Sequence, residues 1–228
     1  VSRPIVLLGA GGLARETAEL IRALNTAIEP GERHRLVGLL DDDPGRHGHL
    51  VGGLAVLGPR DWLSQHPEVG VVVCVAHPHR PQARLGVAQS LHIETSRFPT
   101  LVHPGAFVTA SSHLGAGTVV HAGVTCTADV TVGDHVVAMP GVVLTHDVTV
   151  ANGVTLASGV LVAGGVHIDE GAYVGAGAVI REGCRVGVGA TVGMGAVVTR
   201  DVEAGVTCAG NPARRLNTSR LSAVGVPS

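Results

Sequence analysis

The sequence predicts an α/β Rossmann-like domain followed by a left-handed parallel β-helix of hexapeptide repeats. Three observations carry this. From Val102 to Glu203 an aliphatic or small apolar residue opens every hexad without a skip, through Val108, Leu114, Val120 and Cys126 to Val192 and Val198. Four residues later stands a second small or β-branched residue, as at Ala106, Val124, Val148 and Ala196. Ahead of the hexads, residues 4–8, Gly9-Ala10-Gly11-Gly12 and residues 13–25 read as strand, glycine loop and helix.

A six-residue period fits neither a helix nor plain strand alternation, so it marks an internal repeat. Each hexad is a short strand and a corner, with its two apolar places facing inward. Three sides close a triangular coil, and stacked coils pair strand to strand. The place three after each hexad start is Gly in twelve of the seventeen hexads, and Ser111, Asp129, His135, Asp147 and Asp201 fill the rest. Gly and Asp suit the positive φ that a tight corner requires. Cys126 and Cys184 take inward places, where Cys behaves as a small hydrophobe.

The N-terminal unit is expected to contain three strands of a parallel sheet. Residues 36–40 form the second and lead into Asp41-Asp42-Asp43-Pro44-Gly45; residues 69–76 form the third, before a helix at 81–91. This βαβαβ reading places the glycine loop, the acids and His77-Pro78-His79-Arg80 at the carboxyl edge of the sheet, where α/β folds bind ligands. A glycine loop against a helix N-terminus accepts phosphate or other anionic groups. It also serves as a plain βα turn, and the acids read equally well as ribose partners or as a capped turn. The domains are expected at 1–100 and 101–214, with a tail at 215–228.

A net charge of −2 disfavours an electrostatic grip on nucleic acid, and 2% aromatic residues disfavour base-stacking platforms. No apolar run has transmembrane length and no signal-peptide pattern opens the chain, so a cytoplasmic protein with reduced thiols is expected. The cysteines have no metal or redox spacing. Among thirteen histidines, His146 stands out by register. It occupies an outward corner beside Asp147, at a place where other hexads have Ala, Pro, Asn, Ser, Gly or Glu. An imidazole there can take a proton from an attacking group, and an adjacent carboxylate can orient it or raise its basicity. Asp147 has a second reason to be present, as a corner residue. His103 and His121 fall at matching coil positions and are expected to stack.

The layout resembles the NeuD/PglD family of sugar acyltransferases. The residues that carry the resemblance are Gly9-Ala10-Gly11-Gly12, Leu40-Asp41-Asp42, Val102-His103-Pro104, Thr145-His146-Asp147-Val148, Gly175-Ala176-Gly177-Ala178 and Gly210-Asn211-Pro212-Ala213-Arg214. The resemblance implies a homotrimer that transfers acetyl from acetyl-CoA to an amino or hydroxyl group of a sugar, often a nucleotide-linked 4-amino sugar. It implies His146 as general base with Asp147 as its acidic neighbour. Gly11, Gly12, Asp41 and Asp42 would contact the nucleotide sugar, with Leu13 where the family has a substrate-contacting histidine. Acetyl-CoA would lie along the helix between subunits, against Thr155, Gly164, Gly175, Ala176 and Met194. Thr155 replaces a second family histidine, and the Gly164-Gly165 turn offers backbone N–H groups to an oxyanion. The family's glycine after the third strand falls in the Ala76-His77-Pro78 region. Two other readings stay open, an O-acetyltransferase of sialic-acid type and a non-catalytic trimeric scaffold that binds sugar nucleotides. No metal is expected: β-helical carbonic anhydrases carry two histidines five residues apart, a spacing absent here.

Overall fold

A computed structural model describes residues 3–77 and 79–216. The hexads form three parallel sheets of six, five and eight short strands, the last ending in one antiparallel strand. Strands pair with an offset of eighteen residues, as in Val102 with Val120, Cys126 with Leu144 and Val150 with Ile168. Both apolar places of the hexad point inward. Val124, Val130, Val148, Val160, Ala178 and Ala196 are fully buried beside the hexad-opening row, and Cys126 and Cys184 lie in the same core. All four cysteines are free and buried.

The expected corner conformation holds over most of the helix. Asp129, His135 and Asp147 adopt φ of 56°, 54° and 60°, as the corner glycines from Gly117 to Gly195 do. Gly105, Ser111 and Asp201 depart from it. At the first, His103 Nδ1 accepts the Gly105 N–H at 2.9 Å and holds a different turn. At the last, Asp201 Oδ1 accepts the Arg185 N–H at 2.8 Å, and Val202 bridges Val186 rather than lying eighteen residues on. The final coil is therefore shorter, and Thr207–Ala209 pairs with Thr191–Val192 in the shortened register.

In the N-terminal unit β1 (Arg3–Leu8) leads through the glycine loop into α1 (Gly12–Ala27), and β2 (His34–Leu40) pairs parallel with β1. The next two strands were not predicted. β3 (Leu50–Val51) and β4 (Leu54–Gly58) form a hairpin about Gly52-Gly53, whose φ of 58° and 79° suit a primed two-residue turn. β4 lies parallel beside β2, and a 3₁₀ helix at Arg60–Gln65 leads to β5 (Gly70–Val73). The sheet order is β3-β4-β2-β1-β5. The βαβαβ expectation is thus corrected, because the second crossover holds a hairpin and a short 3₁₀ helix in place of an α-helix. β5 is also shorter than residues 69–76. Its partner β1 ends at Leu8, where Gly9 turns away at φ 109°. Helix α2 (Ala83–Ser90) follows.

The two units share a core. Ile5, Leu7, Ala14, Ala18, Ile21 and Val72 pack with Leu101, Val119 and Val137, the outward places of the eight-stranded sheet. Helix α2 meets the corner between the five- and eight-stranded sheets, where Arg84 is buried and Leu85 lies against Gly153. Its Nε donates to the His135 carbonyl at 2.7 Å and its Nη2 to the carbonyls of Gly153 and Val154 at 3.0 and 2.8 Å. The six-stranded sheet is apolar outside and bare, with Phe107 61% and Leu161 44% exposed. No helix among the described residues is long and apolar enough to cross a membrane.

His121 is buried, and its Nε2 has no hydrogen-bond partner among the described residues. Burial, aided by the charge of His103, pushes its imidazole down from the ordinary 6.5 to about 4. Between those values the unfolded chain binds a proton that the fold refuses. Stability is therefore full above pH 6.5 and is lost as pH falls toward 4. The loss from this ring alone is about 3 kcal/mol. His121→Met, matching Met139 one coil on, should flatten the acid side of a urea-unfolding stability curve.

Candidate active site

The glycine loop is shaped by two demands. A Cβ at Gly9 would stand 2.9 Å from the Cys74 carbonyl oxygen, so the chain just past β5 requires glycine there. A Cβ at Gly11 would meet nothing within 4 Å, and one at Gly12 only the tip of Arg15. Packing within the chain does not require glycine at either position, and both border the N-terminus of α1. That terminus has no side-chain cap and no acidic residue in its first turn.

The acids beyond β2 bind protein groups. Asp41 accepts the Ala10 N–H at 2.9 Å and the Asp43 N–H at 3.0 Å, tying the second loop to the glycine loop. Asp42 accepts from Arg60 Nε at 2.8 Å, and the hydrogen bonds from Arg60 hold its carboxyl below the usual carboxylate range. Asp43 caps the turn at Pro44 by accepting the Gly45 N–H at 2.9 Å. The acidic run therefore braces the carboxyl edge of the sheet, with further lone pairs on Asp41 and Asp42 for a ligand.

Between this edge and the eight-stranded sheet lies a cleft of about 350 Å³. Gly12, Leu13, Glu16 and Ala76 line one wall; Val137, Met139, Thr155, Ala157, Ser158, Tyr173 and Ala176 line the other. It brings together Gly12, Leu13, Thr155 and Ala176 from the residues singled out by sequence. Thr155 is buried, and its Oγ1 accepts from Arg84 Nη2 at 2.8 Å. Gly175 belongs to the same corner and leaves no room for a Cβ, which would lie 2.6 Å from the Met194 nitrogen. Met194 stands one coil on and is 81% exposed. Met139, Tyr173 and Arg84 were not anticipated. Register alone identifies the first two, a Met and the only Tyr on outward or corner places of this sheet.

His146 is elsewhere. It follows Val143–Leu144 of the six-stranded sheet and precedes Thr149–Val150 of the five-stranded sheet. In a three-sided coil that corner is opposite the side carrying the α/β unit. Its imidazole is exposed, and its Nδ1 lies 2.8 Å from Asp147 Oδ2. With Nδ1–H donated there, Nε2 is left to accept a proton. The ring lies over Gly164, one coil on, where a Cβ would come within 2.3 Å of His146 Cε1. The Gly165 N–H donates to the His146 carbonyl at 2.9 Å, so it is not open to an oxyanion. Among the described residues no group of three or more His, Cys, Asp or Glu side chains could hold a metal ion.

A three-sided β-helix of hexads with an outward histidine, fronted by an α/β unit, is the architecture of a hexapeptide-repeat acyltransferase. Residues 129–164 match the family model "Bacterial transferase hexapeptide (six repeats)". The chain is similar in structure to the acetyltransferase domain of PglB from Neisseria gonorrhoeae, at 30% identity over 94% of this chain and 100% of that one, with a TM-score of 0.80. A second structure of that domain contains acetyl coenzyme A. It is also similar to a His→Asn mutant of perosamine N-acetyltransferase from Caulobacter crescentus, in complex with CoA and GDP-perosamine. There the identity is 29%, over 94% of this chain and 97% of that one, with a TM-score of 0.81. WeeI from Acinetobacter baumannii is 28% identical over 93% and 99% of the two chains, with a TM-score of 0.77. No curated protein matches the chain by sequence. The chain belongs to the hexapeptide-repeat sugar N-acetyltransferases.

Two substitutions separate the jobs of the His146 corner. Asp147→Gly keeps a residue suited to φ 60° and should leave stability within about 1 kcal/mol of the parent; with His146 as the general base proposed below, it should slow acetyl transfer about tenfold. Gly164→Ala should displace the exposed ring and cost more, about 10²-fold in rate, with the thermal midpoint little changed. Unfolding curves and initial rates on the same preparations check both.

Proposed function

We propose that this protein transfers an acetyl group from acetyl-CoA to the 4-amino group of a nucleotide-linked sugar, with His146 as general base. The observation that carries the reading is the cleft in which Gly12 and Leu13 of the glycine loop face Thr155 and Ala176 of the β-helix. The acceptor's nucleotide lies along the carboxyl edge, at Gly11, Gly12, Asp41 and Asp42, and its sugar enters the cleft. Acetyl-CoA runs along the corner of Gly175, Ala176 and Met194; Thr155, which the resemblance puts against acetyl-CoA, lines the cleft facing Gly12 and Leu13 and is read here as an acceptor contact, and Gly164 lies against His146. Perosamine N-acetyltransferase, solved with CoA and GDP-perosamine, supports both ligand classes.

Because His146 stands opposite the α/β unit within its own chain, it serves the cleft of another copy. The reading therefore includes a homotrimer, packed through the bare apolar face bearing Phe107, Val143, Leu161 and Val179. The sugar amine attacks the thioester carbonyl and forms the C–N bond. His146 Nε2 takes the amine's proton, and the C–S bond breaks to release CoA. Asp147 holds the imidazole in the tautomer that leaves Nε2 free.

The test is release of free CoA when the protein meets acetyl-CoA and a panel of nucleotide-linked amino sugars, with hydroxyl sugars as a second arm. Turnover with an amino sugar is expected, as is a trimer by light scattering. Folded protein that releases no CoA with any acceptor would refute the reading. Turnover with hydroxyl sugars alone would reassign the acceptor. His146→Ala should lower the rate about 10²-fold, at the low end for a general base because an amine is already a good nucleophile.

A further inference from the structure

Arg84 is a buried cation with no carboxylate partner among the described residues. Burial lowers its pKa from 12.5 to about 10, so it stays charged at neutral pH. A buried guanidinium held only by neutral groups costs stability, and apolar residues of similar volume serve such places more cheaply. What it touches suggests why it is there. Its Nη1 donates to the Val75 carbonyl at 3.0 Å, in the segment leading to Ala76 on one wall of the cleft. Its Nη2 shares its two N–H groups among the carbonyls of Gly153 and Val154 and Thr155 Oγ1 on the other wall.

The Thr155 hydroxyl thus has its oxygen engaged by a cation. Its own proton meets no acceptor among the described residues, although the side chain is only 5% exposed and lines the cleft. A hydroxyl that accepts from a charged donor becomes a stronger donor itself. Most other groups on that wall are apolar, namely Val137, Met139, Ala157 and Ala176.

We infer that Arg84 is a positioning residue for the acceptor sugar: it fixes and polarises the Thr155 hydroxyl as a hydrogen-bond donor to a sugar oxygen in the cleft, while holding the opposite wall through Val75. This rests on the acetyltransferase reading proposed above. The ligand class it selects is an acceptor with an oxygen lone pair facing the eight-stranded sheet. Leu13, on the facing wall, meets the apolar side of the same sugar.

Steady-state kinetics on the full chain test this, with acetyl-CoA and an acceptor turned over by the parent. Thr155→Val should raise the acceptor KM about tenfold, leaving the acetyl-CoA KM and the thermal midpoint near parental values; Thr155→Ser, which keeps the hydroxyl, should restore the acceptor KM. Arg84→Lys keeps the charge but loses the fork. It should raise the acceptor KM in the parent and by a clearly smaller factor in the Thr155→Val background, where the Thr155 relay is already broken and only the hold on Val75 remains to be lost. An unchanged acceptor KM in Thr155→Val, a change confined to the acetyl-CoA KM, or additive effects of the two substitutions would each overturn the inference. Absence of parental turnover would instead overturn the functional reading beneath it.

Discussion

The eighteen-residue offset of the coil-to-coil hydrogen bonds is the constraint on which the rest depends. It stacks every hexad place into a vertical row, so a residue's chemistry is set by its row and its level. Inward rows become the core. One outward row, Leu101, Val119 and Val137, becomes the floor beneath the α/β unit. The row that places His146 over Gly164 requires a small residue one level up, which is why a glycine outside the positive-φ series appears there.

Much of this was legible in the chain itself. The hexads located the β-helix, placed Cys126 and Cys184 in the core, and put His146 on an outward corner. Register failed where local hydrogen bonds replaced the corner, at Gly105 and Asp201, because a period describes the average coil and not its ends. The Gly52-Gly53 hairpin carried a readable turn signal between apolar residues, and only its short strands concealed it. Arg84 had no signal. A charged residue in an eight-residue helix reads as solvated, and its burial arises from the docking of two units that sequence pattern treats separately.

Residues with two reasons to be present explain why the site was harder to read than the fold. Asp147 is both a positive-φ corner and the hydrogen-bond partner of His146. Asp41 and Asp42 brace the loops that they flank, so their carboxylates are already oriented before any ligand arrives. Such preorganisation lowers the entropy lost on binding. Gly9 is glycine because of Cys74, whereas Gly11 and Gly12 border open space, a distinction that spacing alone does not contain.

The last coil closes differently from all the others. Arg214–Arg215 turns back antiparallel to Thr207–Ala209 and becomes the outermost strand of the eight-stranded sheet. A stack of parallel coils otherwise ends in an open ladder, a ready template for another molecule to continue it. Here the ladder ends in a two-residue strand that runs the wrong way for continuation and carries two exposed guanidinium groups. Short length and charge are the features by which sheet edges avoid self-association. Among the described residues, the eight-stranded sheet thus ends in a strand poorly suited to continuation by another parallel coil.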